Sequence, residues 1–265
     1  MNLDGQVAII TGGGGVIGKG IADILAQSGA IVVLADVEMA TAERAAQDIE
    51  QKGLDSLPLR LDVTEKLSIR TAVETVLERY GRINILVNNA GAFTAPGWES
   101  RFALSEVDWE WTFKVNLKGV ADMSESVLPF MKQQREGKII NVASTGGRMG
   151  GVDNPAYLSS KAGVINFTQS LALQLAPFNI NVNAICPGAI WSGMSDPANH
   201  LRKHVIEELK GLSPRQMYDH YVQEIPLQRG QTAEDIGYLT AFLASEHSKN
   251  ITGQSINVDG GKRMN

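Results

Sequence analysis

The sequence has one cysteine, Cys186, and few aromatic residues, which make up 6% of the chain. A single cysteine without a CxxC pair excludes a disulfide framework and predicts no cysteine-based metal site, so we expect a reducing, cytoplasmic environment and no bound metal. Positive charge is also scarce, because 24 Lys and Arg residues against 29 Asp and Glu residues give a net charge of −5. The chain therefore lacks the basic surface that nucleic-acid binding requires.

Long apolar runs are absent as well. None approaches the roughly 18 residues of a membrane-spanning helix, and the opening MNLDGQVAIIT lacks the charged and apolar regions of a signal peptide. We therefore expect no membrane contact. Because 43% of the 265 residues are hydrophobic and 20% are charged, the chain can bury a large core and is not predicted to be disordered.

Short apolar runs alternate with longer stretches of helical patterning. The runs cover residues 6–11, 30–36, 56–62, 83–89, 137–144, 180–188 and 253–260, and the helical stretches cover 18–28, 40–52, 65–80, 105–134 and 155–177. Near-continuous apolar runs are typical of strands buried on both faces, and each crossover is long enough for the helix that parallel pairing requires. The pattern predicts one α/β domain over residues 1–265, with a doubly wound, seven-stranded, mostly parallel sheet and helices on both faces.

One segment, residues 189–231, is too long for a plain connection between a strand and a helix. It predicts two short helices above the carboxyl ends of the strands. We interpret its central part, near 193–224, as a helical substrate lid.

Glycine is abundant, with 27 residues, and its first cluster lies in TGGGGVIG at 11–18. A glycine-rich turn between a strand and a helix directs backbone N–H groups and the positive helix end toward a pyrophosphate; the alternative is a tight turn without a ligand. Asp36 ends the second predicted strand. A carboxylate there accepts the ribose hydroxyls of NAD and repels the 2′-phosphate of NADP, although Asp36 is also a possible helix cap.

Two further strand ends carry residues suited to a nucleotide. Asp62, followed by Val63, is suited either to the adenine edge or to capping the next helix, and the sequence leaves both open. The motif NNAG at 88–91 suits a loop packed against a nucleotide and neighbouring backbone.

Tyr157 and Lys161 are four residues apart at the start of a predicted helix, so they share one face. A lysine ammonium favours the tyrosine phenolate, which makes the tyrosine a workable general acid–base near neutral pH. Ser144 ends the fifth predicted strand, where its hydroxyl is expected to hold a substrate oxygen. Asn116 falls inside the predicted helix at 105–134, where an asparagine needs a specific reason. Singly these residues are ordinary, but as an ordered set on a nucleotide-binding sheet they indicate catalysis.

Together with PG at 187–188 and INVDGG at 256–261, these motifs resemble the classical short-chain dehydrogenase/reductase family over nearly the whole chain. The resemblance implies a Rossmann fold, NAD as cofactor, a small-molecule alcohol or ketone as substrate, and a homotetramer or homodimer. It also implies a catalytic tetrad in which Asn116 anchors a proton-relay water, Ser144 binds the substrate oxygen, Tyr157 is the acid–base and Lys161 binds the nicotinamide ribose. The implied cofactor contacts are Gly12, Gly15, Val16, Ile17, Gly18, Asp36, Asp62, Val63, Asn89, Ala90, Gly91, Tyr157, Lys161, Pro187, Gly188, Ile190 and Ser192, with the last two at the nicotinamide carboxamide.

The sequence departs from the family pattern at two positions. Val16 replaces the middle glycine of TGxxxGxG, and the glycines at 12, 15 and 18 fit instead the TGxxGxxG of the family's extended members, which are usually longer sugar epimerases or dehydratases. Ser192 replaces the usual threonine after the PG motif but keeps a hydroxyl.

The predicted substrate contacts are Trp98, Asp153, Asn154, Trp191 and Met194. Asp153 and Asn154, just before the catalytic tyrosine, favour a substrate with extra hydroxyls, although loop solvation explains them equally well. The aromatic and methionine residues are as consistent with lid packing as with ligand contacts. The tail resembles polyol and diol dehydrogenases modestly. A basic cluster at 200–204 is suited to an anionic substrate group, but a solvated helix face explains such clusters more often.

The sequence thus predicts an NAD-dependent dehydrogenase that oxidises a secondary alcohol, best a polyol, sugar alcohol or diol, to its ketone. The alternatives are a dehydrogenase of a bulky apolar alcohol, such as a hydroxysteroid or aryl carbinol, or of a hydroxyacyl thioester. A non-redox epimerase or dehydratase and a nucleotide-sensing binding protein are further alternatives; the intact tetrad argues against the latter.

Overall fold

The computed structural model describes residues 1–152, 154–192 and 195–264. Within them, a seven-stranded sheet has the order β3-β2-β1-β4-β5-β6-β7, and every neighbouring pair is parallel. The strands are β1 (Val7–Thr11), β2 (Ile31–Asp36), β3 (Ser56–Arg60), β4 (Ile85–Asn88), β5 (Gly137–Val142), β6 (Ile180–Pro187) and β7 (Ser255–Val258). This confirms the doubly wound α/β fold.

Helices cover both faces of the sheet. They are α1 (Val16–Gln27), α2 (Met39–Glu50), α3 (Lys66–Tyr80), α4 (Glu106–Phe113), α5 (Gly119–Gln134), α6 (Pro155–Leu175), α7 (Ser195–Val205), α8 (Pro214–Gln223) and α9 (Ala233–Ala244). Alternate residues of β1 show the two layers: Ala8 and Ile10 pack with α1 and α9, whereas Val7 and Ile9 pack with α3, α5 and α6. Burial on both faces explains why the strands read as continuous apolar runs.

The chain reverses direction across the sheet between β1 and β4, its topological switch point. In open α/β sheets, ligands bind in the crevice that opens there, beyond the carboxyl ends of the strands. The loops after β1, β4 and β5 all emerge at this edge and carry the motifs singled out above.

The long 189–231 segment contains α7, a short 3-10 turn at Glu207–Leu209, and α8. Local sequence explains where α8 begins. Ser213 and Gln216 form a reciprocal capping box and Pro214 occupies the first turn. No helix in the described ranges is long and apolar enough to cross a membrane.

The predicted continuous helix at 105–134 is interrupted. Five residues, Lys114–Lys118, form a π-helical turn between α4 and α5. Such turns are rare and are often found at functional sites, and the residue at the centre of this one is Asn116.

Candidate active site

The glycine-rich turn after β1 leaves no room for side chains at Gly12 and Gly18. A Cβ atom on Gly18 would lie 2.1 Å from the Gly12 carbonyl oxygen, and Gly12 itself has φ +64°. Val16 is the first residue of α1 and its side chain is about half exposed, so it does not fill the turn. The first-turn N–H groups of an α-helix have no intrahelical acceptor, which makes this end of α1 suited to a phosphate.

The Asp36 carboxylate ties this turn to the end of β2. One oxygen, Oδ2, accepts a hydrogen bond from Gly14 N at 3.0 Å, and Oδ1 accepts one from Glu38 N at 3.1 Å. Because Glu38 is the N-cap residue of α2, Asp36 is not a simple cap of that helix. Its negative charge lies beside the turn instead.

The loop after β4 is bound to the same turn. Asn89 Nδ2 donates to the carbonyl oxygens of Thr11 and Gly12 at 2.9 and 3.0 Å. The amides of Asn89 and Ala90 both donate to Thr11 Oγ1 at 3.0 Å. The two loops therefore form one rigid floor at the switch point.

After β3, Asp62 forms a local turn. Its Oδ1 accepts from both the amide and the hydroxyl of Thr64, at 2.8 and 2.7 Å. The N-cap of α3 is Glu65, so Asp62 stabilises the approach to the helix rather than capping it. The neighbouring Val63 is buried against Gly119.

Tyr157 and Lys161 lie in the first two turns of α6, as predicted from their spacing. Lys161 is buried, its Nζ lies 5.8 Å from the centre of the Tyr157 ring, and it donates to the Val142 carbonyl oxygen at 2.8 Å. Burial lowers the pKa of Lys161 to about 8. At neutral pH the ammonium form still dominates, so a positive charge lies beneath the phenol ring.

Ser144 follows β5 in extended conformation, and its Oγ accepts a hydrogen bond from Gly146 N at 3.0 Å. The 3-10 turn that begins after it packs directly on α6. A Cβ atom on Gly147 would lie 2.7 Å from the Lys161 carbonyl carbon. The absence of a side chain at Gly147 is therefore what allows the serine loop to meet the Tyr157–Lys161 helix.

Asn116 is completely buried and uses its whole amide group. Its Oδ1 accepts from Ala92 N at 2.7 Å, and its Nδ2 donates to Ala92 O at 2.9 Å and to Ser160 Oγ at 3.0 Å. Both amide hydrogens are engaged with protein atoms, so they are not available to the expected relay water. The Asn116 side chain instead joins the loop after β4 to α6 through these hydrogen bonds.

Three of the four predicted tetrad residues face one cavity of about 620 Å³. Its described walls include Ser144, Tyr157 and Lys161, together with predicted cofactor residues at 17, 89, 91, 187, 188, 190 and 192. The PG motif shapes one wall, because Gly188 N donates to Val258 O at 3.0 Å and a Cβ atom there would lie 2.5 Å from Gln231 Oε1. Asn116 lies behind the wall.

The structure places one predicted substrate contact, Asn154, away from the cavity. Asn154 is fully buried; its Oδ1 caps α6 by accepting from Tyr157 N at 2.9 Å, and its Nδ2 donates to Phe93 O at 2.6 Å. It is therefore a positioning residue and does not face the cavity. Asp153 and Met194 lie outside the described residues.

Both predicted tryptophans are also outside the described cavity wall. Trp98 packs edge-on against His200, with ring centres 5.3 Å apart, and Trp191 packs edge-on against Tyr218 at the same separation. The basic cluster at 200–204 is likewise split, since His200 is bound in this aromatic contact and to the Arg101 carbonyl oxygen at 2.7 Å.

Sequence reasoning placed a helical lid here, but apart from the basic cluster it did not name the wall residues that α7, α8, the turn between them and the carboxyl-terminal tail contribute. The apolar residues at 206, 209 and 217 and the tyrosines at 218 and 221 were detectable only as the apolar side of the segment's short helices. Charged residues at 202, 208, 220, 224, 262 and 263 complete the cavity.

Comparisons with known proteins agree with this geometry. The family profile described as short chain dehydrogenase matches residues 6–203. Galactitol 2-dehydrogenase of Agrobacterium fabrum is 39% identical over 100% of both chains, and 3-oxoacyl-(acyl-carrier-protein) reductase FabG of Thermotoga maritima is 37% identical over 98% of this chain and 99% of its own. Among solved structures, NAD+-bound xylitol dehydrogenase superposes with a TM-score of 0.88 at 30% identity, covering 98% of this chain and 100% of that one.

Proposed function

Because the chain belongs to the short chain dehydrogenase family and is an oxidoreductase acting on CH–OH groups, we propose that it is an NAD-dependent dehydrogenase that interconverts a polyol, sugar alcohol or diol and its ketone. The observation that carries the proposal is the meeting of Ser144, Tyr157 and Lys161 on one cavity, at the carboxyl edge of the sheet. The family uses NAD or NADP, so the choice of NAD and the substrate class are the proposed part.

The residues present fit a dinucleotide. The turn from Gly12 to Gly18 has no room for a Cβ atom at Gly12 or Gly18 and would offer the first amides of α1 to the pyrophosphate. The Asp36 carboxylate is placed to accept the adenosine ribose hydroxyls, and its charge disfavours a 2′-phosphate. Lys161 would hold the nicotinamide ribose, and Ile190 and Ser192 the carboxamide.

NAD, when bound, supplies the hydride acceptor for alcohol oxidation. Tyr157 removes the hydroxyl proton of the substrate, and the buried Lys161 ammonium stabilises the phenolate that promotes this step. Ser144 accepts from Gly146 N, which orients its hydroxyl so that its proton can be donated to the substrate oxygen. In the reverse direction the same tyrosine returns the proton to the alkoxide oxygen.

The polyol proposal is supported by the relatives named for galactitol and xylitol. The buried Asn199 and the tyrosines of α8 add polar groups to the cavity wall. A second candidate, a bulkier apolar alcohol or an acyl thioester, is favoured by the apolar wall that Phe93, Leu209 and Met217 contribute and by the FabG relative.

Initial rates of NADH and NADPH formation with galactitol, xylitol, 1-phenylethanol and a 3-hydroxyacyl thioester test the proposal. We expect the polyols with NAD to give the highest kcat/KM. Tyr157→Phe should lower turnover by about 10²–10⁴-fold with little change in the Kd of NAD, whereas Tyr238→Phe, at an exposed position on α9, should leave both unchanged. A preference for NADP, or for the apolar alcohol, would contradict the corresponding part of the proposal.

We also propose that the chain works as a homotetramer or homodimer in the cytoplasm. Exposed apolar side chains on α4, Val107 and Trp109, support association with another copy. Light scattering after size-exclusion chromatography would measure the mass directly, and a monomer at micromolar concentration would contradict the proposal.

A further inference from the structure

The side of the cavity formed by α7 and the carboxyl-terminal tail carries an unusual concentration of positive charge. Arg202, Lys262 and Arg263 line it, in addition to the catalytic lysine. The acidic residues among the described lining are Glu208 and Glu224, and both are exposed. Lys262 is already paired with Glu224, and among the described lining residues on this side three cations stand against two carboxylates.

Arg263 is fixed in place by its backbone. The Asp259 carboxylate accepts from Arg263 N at 2.8 Å and from Gly261 N at 3.0 Å, and Asn257 Nδ2 donates to Arg263 O at 3.1 Å. Asp259 is thus occupied by main-chain amides. The N–H and the carbonyl group of Arg263 are therefore both held, and the residue is partly buried and lines the cavity.

The Arg263 guanidinium has spare hydrogen-bonding capacity. Its Nη1 donates to the Lys262 carbonyl oxygen at 3.2 Å, and no carboxylate of the described residues lies within ion-pair distance of it. A guanidinium carries five N–H donors in a planar fork that matches a carboxylate or phosphate.

Tyr221 shows where this charge lies relative to the reaction site. Arg202, Tyr221 and Arg263 line the same cavity as Ala189, the residue next to the PG motif. Burial and the Asp259 carboxylate raise the pKa of Tyr221, while a hydrogen bond from the Ala189 amide and the charges of Arg202 and Arg263 act in the opposite direction.

We propose that Arg263, with Arg202 and Lys262 beside it, binds an anionic group of the substrate, a carboxylate or a phosphate, at the tail side of the cavity. This inference rests on the proposed function, because it adds a charged end to the alcohol that the catalytic residues oxidise. The other phosphate source that would satisfy the same arginine is the pyrophosphate of the dinucleotide, and the experiment separates the two.

The test compares matched substrates that differ only in the anionic group: galactonate against galactitol, and 3-hydroxybutyrate against 1,3-butanediol. Wild-type protein should show at least about tenfold higher kcat/KM for the acid of a pair that it turns over, which is the order expected for one charge-assisted bidentate contact. Arg263→Met should remove most of that preference, because it should lower kcat/KM for the acid far more than for the neutral alcohol. Arg263→Lys should restore part of it, and the matched control Arg229→Met, at an exposed position outside the cavity wall, should have no effect.

Binding measurements make the outcome independent of turnover. Calorimetric titration of the NAD-loaded protein with glutarate, a non-oxidisable dicarboxylate, should give a Kd that Arg263→Met weakens about tenfold. If no alcohol reduces NAD but this difference is observed, the proposed function fails and the anion site stands. If Arg263→Met instead weakens NAD itself, the arginine serves the cofactor, and if it changes neither, no anion binds there; both results overturn the inference.

Discussion

The Lys161 ammonium nitrogen lies 2.8 Å from the carbonyl oxygen of Val142, the last residue of β5. The contact fixes the lysine between the strand that leads to Ser144 and the helix that carries Tyr157. This hydrogen bond does not fully compensate for the lost hydration of the ammonium group, because burial lowers the pKa of Lys161 to about 8. The site therefore keeps a charge in a place where folding alone would favour a neutral group.

Lys161→Met should abolish activity and yet stabilise the fold. The pKa of Lys161 is about 8 in the folded protein and 10.5 in the unfolded chain. Below pH 8 the buried charge therefore lowers the free energy of unfolding by about 3 kcal/mol. After allowance for about 1 kcal/mol from the lost hydrogen bond, the free energy of unfolding at pH 7 should rise by about 1–3 kcal/mol. Urea denaturation measures the change, with exposed Lys249→Met as control.

The stabilisation expected from Lys161→Met depends on pH, because burial lowers the pKa of Lys161. Below pH 8 the charged Lys161 lowers the free energy of unfolding by its full amount. This destabilisation decreases as the pH rises from 8 toward 10.5, and it vanishes above pH 10.5. The stability difference between Lys161→Met and wild type should therefore narrow over this interval. A difference that is constant with pH, or a destabilised variant at pH 7, would contradict the burial argument.

Asn154→Ala tests the corrected role of that residue. The change removes the N-cap of α6 and leaves the buried Phe93 carbonyl without its donor, so we expect about 2–3 kcal/mol lower stability from the sum of the two effects. Because the cap positions Tyr157, kcat should fall for all alcohols alike. Asn154→Asp keeps the capping oxygen and should recover part of the loss.

The ratio of kcat/KM between galactitol and 1-phenylethanol is the deciding measurement. It should be the same for wild type, Asn154→Ala and Asn154→Asp, because the side chain is fully buried away from the cavity. A selective loss of polyol activity would restore the sequence interpretation of Asn154 as a substrate contact.

The strands and the Tyr157–Lys161 pair were predictable because they depend on local periodicity. Apolar runs buried on both faces and a four-residue spacing on a helix constrain structure within a few residues of chain. The glycines of the TGGGGVIG turn belong to the same class, since a Cβ on Gly18 would collide with a carbonyl six residues earlier.

The π turn and the part of the cavity wall formed by α7, α8 and the tail were not predictable residue by residue, because they depend on contacts between distant segments. Asn116 is engaged with Ala92 and Ser160, 24 and 44 residues away, and nothing in KVNLK alone signals that pairing. Arg263 reaches the cavity only because β7 returns the tail to the edge of β6. Of the predicted basic cluster at 200–204, Arg202 lines the cavity, but nothing in the sequence placed Lys262 and Arg263 beside it.

The α7–α8 segment is predicted to move when ligands bind. Among its described attachments, Lys262 of the tail pairs with Glu224 after α8, and Leu227 N donates to Gly260 O at 3.1 Å. Amide hydrogens over 195–223 should exchange faster than those of β1 and β4 without ligands, and NAD with a substrate should slow them. Equal exchange with and without ligand would mean that the segment is a fixed wall and not a lid.

Asp36 holds the glycine-rich turn, and we propose that it also selects the cofactor; a pair of variants distinguishes the two tasks. Asp36→Asn keeps an oxygen for the Gly14 amide but removes the charge, so the turn should persist while discrimination against NADP weakens. Asp36→Ala combined with Val37→Arg removes both oxygens and supplies a cation at a position that is 47% exposed. Because a guanidinium pairs with a 2′-phosphate and a carboxylate repels it, this double variant should prefer NADP.

The measurement is the ratio of kcat/KM for NAD and NADP with one alcohol held at saturation. We expect a wild-type ratio well above one, a smaller ratio for Asp36→Asn, and an inverted ratio for the double variant. Val37→Arg alone is the control, because it adds the cation while the carboxylate and its hydrogen bonds to Gly14 and Glu38 remain. If this control inverts the preference by itself, the carboxylate does not decide the cofactor. If the wild type already prefers NADP, the negative charge beside the turn serves only to hold Gly14, and the choice of dinucleotide lies elsewhere in the site.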